Sequence, residues 1–196
     1  MITIKILTGS IRPNRFNIQP ATWVYELAKE RTDIEVELID LKDINLPFLD
    51  EPIPPSQHKY SKDHTKEWAK RINDSDGFIF VTPEYNHGVS PVLKNAIDFL
   101  WYEWHYKPVS FISYGSLAGG ARAVEHWRGI SAELKMYDLR DQILIPNYFE
   151  HLDTNGHYQF TATQESLAHK ILDDLVFWAQ IMKEARAKLE RSPQNG

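Results

Sequence analysis

The 196-residue chain contains no cysteine. That absence removes disulfides, thiol nucleophiles and cysteine-ligated metal centres together, and it fits a cytoplasmic location. Histidine occurs eight times, yet never as H-E-x-x-H, so no metal site is expected. Long apolar runs are also missing. Residues 1–20 show no basic segment followed by an apolar core, and no stretch is long enough to cross a bilayer. Neither a signal peptide nor a membrane partner is therefore expected. Positive charge is scarce as well: the net charge of -5 argues against nucleic acid or an acidic membrane surface, both of which need a cationic face. Finally, neither G-x-x-x-x-G-K-[ST] nor G-x-G-x-x-G is found, which disfavours a nucleoside-triphosphate P-loop and an ordinary dinucleotide fingerprint. No internal repeat or low-complexity tract is visible.

What remains is the composition of an ordinary globular protein, 42% hydrophobic and 25% charged. Its length suits one domain over 1–196 with a sizeable core. Strand-like runs occur at 2–8, 34–40, 77–82 and 108–115, with a weaker one at 139–145. Helical stripes lie between them: Ala21, Val24 and Ala28 flanked by Trp23 and Leu27; Thr65, Trp68, Ala69 and Ile72; Leu93, Ala96, Ile97 and Leu100; Ala123, Trp127, Ile130 and Leu134. A last stripe runs from Ala168 to Met182. Alternation of this kind predicts a doubly covered parallel sheet. Residues 42–61, with four prolines, and residues 146–162 are expected to be irregular.

Ligands of such sheets bind beyond the carboxyl ends of the strands, near the switch in strand order. Three loops there have suitable chemistry. TGSIRPNRFN, residues 8–17, offers a hydroxyl from Ser10, two cations in Arg12 and Arg15, and Asn17 as a helix cap, a combination suited to a phosphate. Residues 83–88 (Pro83, Glu84, Tyr85, Asn86, His87, Gly88) form a polar-aromatic loop able to edge a flat heterocycle, and Ser90-Pro91 starts the next helix. SYGSLAGGAR, residues 113–122, brings glycines that admit close backbone approach. Together the loops would frame one FMN molecule.

GSIRPNRFN at 9–17, TPEYNHGVSPVLKNAIDFL at 82–100 and SYGSLAGGAR at 113–122 resemble the NADPH-dependent FMN reductase family, the flavodoxin-like group that includes small quinone, azo-dye and chromate reductases. The likeness covers roughly residues 1 to 145 and is most specific in the second motif. It implies a flavodoxin-like three-layer α/β sandwich with a five-stranded parallel sheet in the order 2-1-3-4-5, and noncovalent FMN reduced by NADPH. By the same likeness Ser10, Arg12, Arg15, Asn17 and the Ile18 backbone hold the phosphate. Pro83, Glu84, Tyr85, Asn86 and Gly88 line the isoalloxazine and ribityl chain, while Gly115 and Ser116 approach from the third loop. Arg15 stands where many members carry serine, and His87 is given no chemical role.

In this reading flavin N5 carries the chemistry and no side chain is named catalytic. One open face serving two substrates in turn implies ping-pong transfer to a small acceptor such as a quinone, azo compound, flavin or metal oxyanion. The alternative is an FMN-binding redox sensor or electron carrier acting on a protein partner. Members of the family usually dimerise, so a homodimer or homotetramer is expected. The aromatic cluster Trp101–Tyr106 is read as subunit interface in preference to core packing or a flavin wall.

Overall fold

The computed structural model describes residues 1–191, so residues 192–196 of the expected domain lie outside the described residues. One all-parallel sheet is built from β1 (Ile2–Thr8), β2 (Ile34–Ile39), β3 (Gly77–Pro83), β4 (Pro108–Tyr114) and β5 (Tyr137–Ile145), in the order β2-β1-β3-β4-β5. This is the expected flavodoxin-like arrangement. Every residue of β3 and β4 is buried, because helices cover both faces of the central strands. Side chains alternate between those faces. Ile79 and Val81 pack with α1 (Ile18–Lys29) and α6 (Ala162–Arg191). Phe78 and Phe80 pack with α3 (Asp63–Asn73), α4 (Pro91–Asp98) and α5 (Ala121–Glu133).

The helices follow the apolar stripes, with Ala21, Val24 and Ala28 buried on α1 and Trp68, Ala69 and Ile72 on α3. Ser90 caps α4 by accepting the Leu93 N–H at 3.4 Å, and Pro91 occupies the first helical turn where its missing N–H costs nothing. The segment 42–61 is less irregular than expected. It opens inside a short helix, α2 (Leu41–Ile44), capped by the Asp40 carboxylate, and includes a 3-10 turn at Pro55–Gln57. The four prolines all follow α2, so the expectation of irregularity drawn from them does not apply to its residues. The segment 146–162 likewise holds a 3-10 turn, Tyr148–Glu150, and a bridge between Leu152 and Tyr158.

The cluster Trp101–Tyr106 is corrected in part. Trp104 is fully buried against Trp68, Phe78 and Phe80, and its indole N–H donates to the Ile97 carbonyl at 3.1 Å. It is core, not interface. The cluster also leads into the amino end of β4, opposite the edge where ligands bind, so it forms no flavin wall. Tyr102 and Tyr106 are exposed and Trp101 is half-buried, while Glu103 and His105 are buried with Trp104.

Candidate functional site

Register brings the three loops together. Thr8 pairs with Val81 and Pro83 with Tyr114, so β1, β3 and β4 end side by side. The loop after β1 is closed on one atom of its neighbour. Val81 O accepts the Gly9 N–H at 2.7 Å and the Asn17 Nδ2 at 3.2 Å, using both lone pairs to tie the two ends of the loop down. A side chain at position 9 would put its Cβ 2.7 Å from that carbonyl oxygen, which is why glycine stands there. Ser90 adds a further tether by donating its hydroxyl to the Gly9 carbonyl.

Tied in this way, the loop leaves its outward donors open. Among the described residues, the N–H groups of Arg15, Phe16, Asn17 and Ile18 have no hydrogen-bond partner, and the exposed Arg12 guanidinium has no ion pair. The start of α1 contributes the partial positive charge of its dipole. Such a set suits an anion such as a phosphate. Ser10 Oγ lies 3.0 Å from the Tyr85 hydroxyl, so the first loop is physically joined to the second. Two readings of side chains change. Asn17 does not cap α1, since its amide is committed to Val81 O, and its Oδ1 is buried without a partner. Arg15 turns its guanidinium onto Asp40 at the end of β2.

The second loop is a tight turn. Tyr85 and Gly88 exchange backbone hydrogen bonds at 3.1 and 2.9 Å, and both central residues are left-handed, Asn86 at φ 50° and His87 at φ 67°. That is a type I′ geometry, and asparagine and histidine are among the few residues besides glycine that tolerate it. The amides of Asn86 and His87 have no partner among the described residues. Glu84 points elsewhere. Its carboxylate accepts the N–H groups of Arg122 (3.1 Å) and Ala123 (3.4 Å) at the start of α5 and pairs with the Arg122 guanidinium. Burial opposes its charge, but those donors outweigh it and hold the carboxyl below the usual range. Its N–H donates to the Tyr114 carbonyl at 3.1 Å, so only the Glu84 carbonyl remains for a ligand's edge.

In the third loop Gly119 and Gly120 both have positive φ, and a Cβ on Gly120 would lie 2.6 Å from that of Ser113. Gly115 faces the Glu84 side chain, while Ser116 is exposed with its N–H free among the described residues. Below the crevice Phe16 stacks on Tyr148 with ring centroids 4.2 Å apart and meets Tyr114 edge-on. Burial and the neighbouring Tyr85 push the Tyr114 phenol well above its ordinary range, so it stays neutral as a wall. An apolar cavity of about 510 Å³, lined by Ile11, Leu41, Ile44, Pro47, Phe48 and Val92, opens beside the first loop rather than between the loops. No group of three or more histidine or acidic residues among the described residues could hold a metal ion. Nor is any described helix long and apolar enough to cross a membrane.

The model of the NADPH-dependent FMN reductase family matches residues 2–150 of the chain, which include all three loops. The chain belongs to that family. It is thereby an NAD(P)H-dependent oxidoreductase with FMN as its cofactor, and the donor set of the first loop fits the cofactor's phosphate. The reductase is 44% identical over 134 residues to an NAD(P)H-dependent FMN reductase of Schizosaccharomyces pombe, covering 65% of this chain and 67% of the relative. It is 28% identical over 194 residues to a 2-hydroxy-1,4-benzoquinone reductase of a Burkholderia species, covering 91% and 97%. Among solved structures it resembles FerB, a flavoenzyme NAD(P)H:(acceptor) oxidoreductase of Paracoccus denitrificans, at a TM-score of 0.73 and 22% identity, covering 93% and 99%. That last likeness shows the fold.

Sequence reasoning located the loops but missed Asp40 and Ser90 as their supports. Asp40 was findable, because the order β2-β1-β3 sets the end of ELID beside a loop carrying two arginines. The Ser90 tether was not, because it joins residues 81 positions apart through a backbone carbonyl.

Proposed function

We propose that the reductase passes electrons from NAD(P)H through FMN to a small acceptor of the quinone class, the two substrates using one face in turn. The observation that carries this reading is the row of donors in the first loop that are open among the described residues, joined by Ser10 to Tyr85 of the second loop, which Glu84 ties in turn to Arg122 at the end of the third. FMN, when bound, supplies the hydride-accepting and electron-donating chemistry. The chain's own atoms position and polarise. Ser10 Oγ, the Arg12 guanidinium and the backbone from Arg15 to Ile18 hold the phosphate. Asn17 fixes the loop through Val81 O instead of capping the helix. Backbone of Pro83, Glu84, Tyr85, Asn86 and Gly88 lines one edge of the ring, and that of Gly115 and Ser116 the other. The amides of Asn86, His87 and Ser116, open among the described residues, support this reading as donors that would stabilise negative charge developing on the ring's polar edge. The working unit in this reading is a homodimer or homotetramer, to be checked by light scattering.

The decisive experiment is a visible absorbance spectrum followed anaerobically after NADPH is added, and then initial rates with a benzoquinone. Rapid bleaching and parallel double-reciprocal lines are expected. Bound flavin that NADPH scarcely bleaches would sink the reading and favour an electron carrier or sensor. Intersecting lines would remove the alternating mechanism.

A further inference from the structure

Arg15 lies in the phosphate loop, yet its guanidinium is engaged below it. It forms an ion pair with Asp40 in which the side chains are only 12% and 17% exposed. The same carboxylate accepts the Thr8 hydroxyl at 3.0 Å and the Lys42 N–H at 3.0 Å, and Thr8 Oγ1 in turn accepts the Leu41 N–H at 3.1 Å. One carboxylate therefore joins the end of β1, the phosphate loop and the start of α2. Its position is electrostatically awkward, because an unpaired anion beneath a phosphate site repels the phosphate. Arg15 cancels that charge. A pair this buried is a weak source of net stability, since desolvating both ions consumes most of the attraction. Its effect falls instead on conformation: with Val81 O holding the two ends of the loop and Asp40 holding Arg15 just ahead of Asn17, the open amides are fixed before a ligand arrives. Donors fixed in advance bind more tightly because less freedom is lost on association.

We propose that Asp40 is a positioning residue for the phosphate loop, and that Arg15 serves the phosphate by anchoring the loop to Asp40 rather than by touching the phosphate. Arg12, exposed and without an ion pair among the described residues, is the cation that meets the anion. The inference rests on the reading that this loop holds the FMN phosphate.

The test compares FMN with riboflavin, which lacks only the phosphate. Dissociation constants for both are measured by flavin fluorescence quenching on flavin-free full-length protein, for wild type, Asp40→Asn, Arg15→Gln and the double variant. The ratio of the riboflavin constant to the FMN constant isolates the phosphate. Positioning requires each single variant to lower that ratio about ten-fold or more. The double variant should be no worse than the worse single one, because both changes break the same link. If Arg15 touched the phosphate, Asp40→Asn would release a cation toward it, and a ratio that rises or stays level in that variant overturns the proposal. So does an unchanged ratio in Arg15→Gln. General loosening of the fold weakens both ligands together, leaves the ratio at its wild-type value and also overturns it. A wild-type ratio near one is a different failure: it removes the phosphate assignment itself, before any variant is made.

Discussion

Replacing Arg12 with alanine isolates the direct phosphate cation from everything that supports the fold. The side chain is exposed and has no ion pair among the described residues, so nothing in the protein loses a partner when it goes. Surface changes of this kind stay within about 0.5 kcal/mol. For a domain of this size that is a shift in Tm of no more than about 2 °C. The phosphate loses more. Hydrogen bonds to ionised groups contribute about 1.5–3 kcal/mol, and solvent exposure places Arg12 at the lower end. The FMN dissociation constant should therefore rise about ten- to thirty-fold. Riboflavin binding should not change. Raising the salt concentration should weaken FMN binding to the wild type more than to the variant, because only the wild type has that exposed charge to screen. Fluorescence titration and thermal unfolding of the flavin-free protein give all these quantities. An FMN constant within two-fold of wild type would refute the reasoning, and equal weakening of riboflavin would show that the loop had deformed instead.

Gly120→Ala forces a side chain into φ +88° with its Cβ 2.6 Å from that of Ser113. Strain of about 1–2 kcal/mol and overpacking of about 1–3 kcal/mol should lower Tm by roughly 5–15 °C, and a fall below about 3 °C would show that the loop yields. Trp104→Ala should cost about 3–5 kcal/mol in urea denaturation without changing the oligomeric state, whereas dissociation with little loss of stability would return Trp104 to an interface. Lys107 is only 3% exposed and donates to the Ile72 and Asn73 carbonyls at the end of α3. Burial first, then Arg186, push its ammonium down from 10.5 to about 7. Between those values the unfolded chain binds more protons, so this group makes stability rise with pH across that window. Urea midpoints at pH 6.5, 8 and 9.5 should climb, and Lys107→Met should flatten the climb by something on the order of 1 kcal/mol or more. An identical slope in the variant would remove the assignment.

The course of the fold was legible in the sequence because a parallel sheet covered on both faces leaves a local record. Buried central strands read as apolar runs, and helices that pack on one side read as stripes every three or four residues. Strand ends were less legible: β5 begins at Tyr137, not 139, because backbone pairing with Pro108 extends it past its apolar stretch. The three loops were legible because glycine, proline and Ser-Pro caps have local conformational causes. What side chains do within them was not. Glu84 went to α5, Asn17 to Val81 O, Arg15 to Asp40 and Trp104 into the core. Each of those destinations lies on a segment remote in sequence, and a charge or an indole is satisfied by whatever the packed chain sets beside it. The order of elements and the kind of ligand the crevice suits were thus written locally, in runs, stripes and loop composition. Which donors stay free for that ligand was settled by packing, because a polar group is available to a ligand only after the fold has left it without a partner.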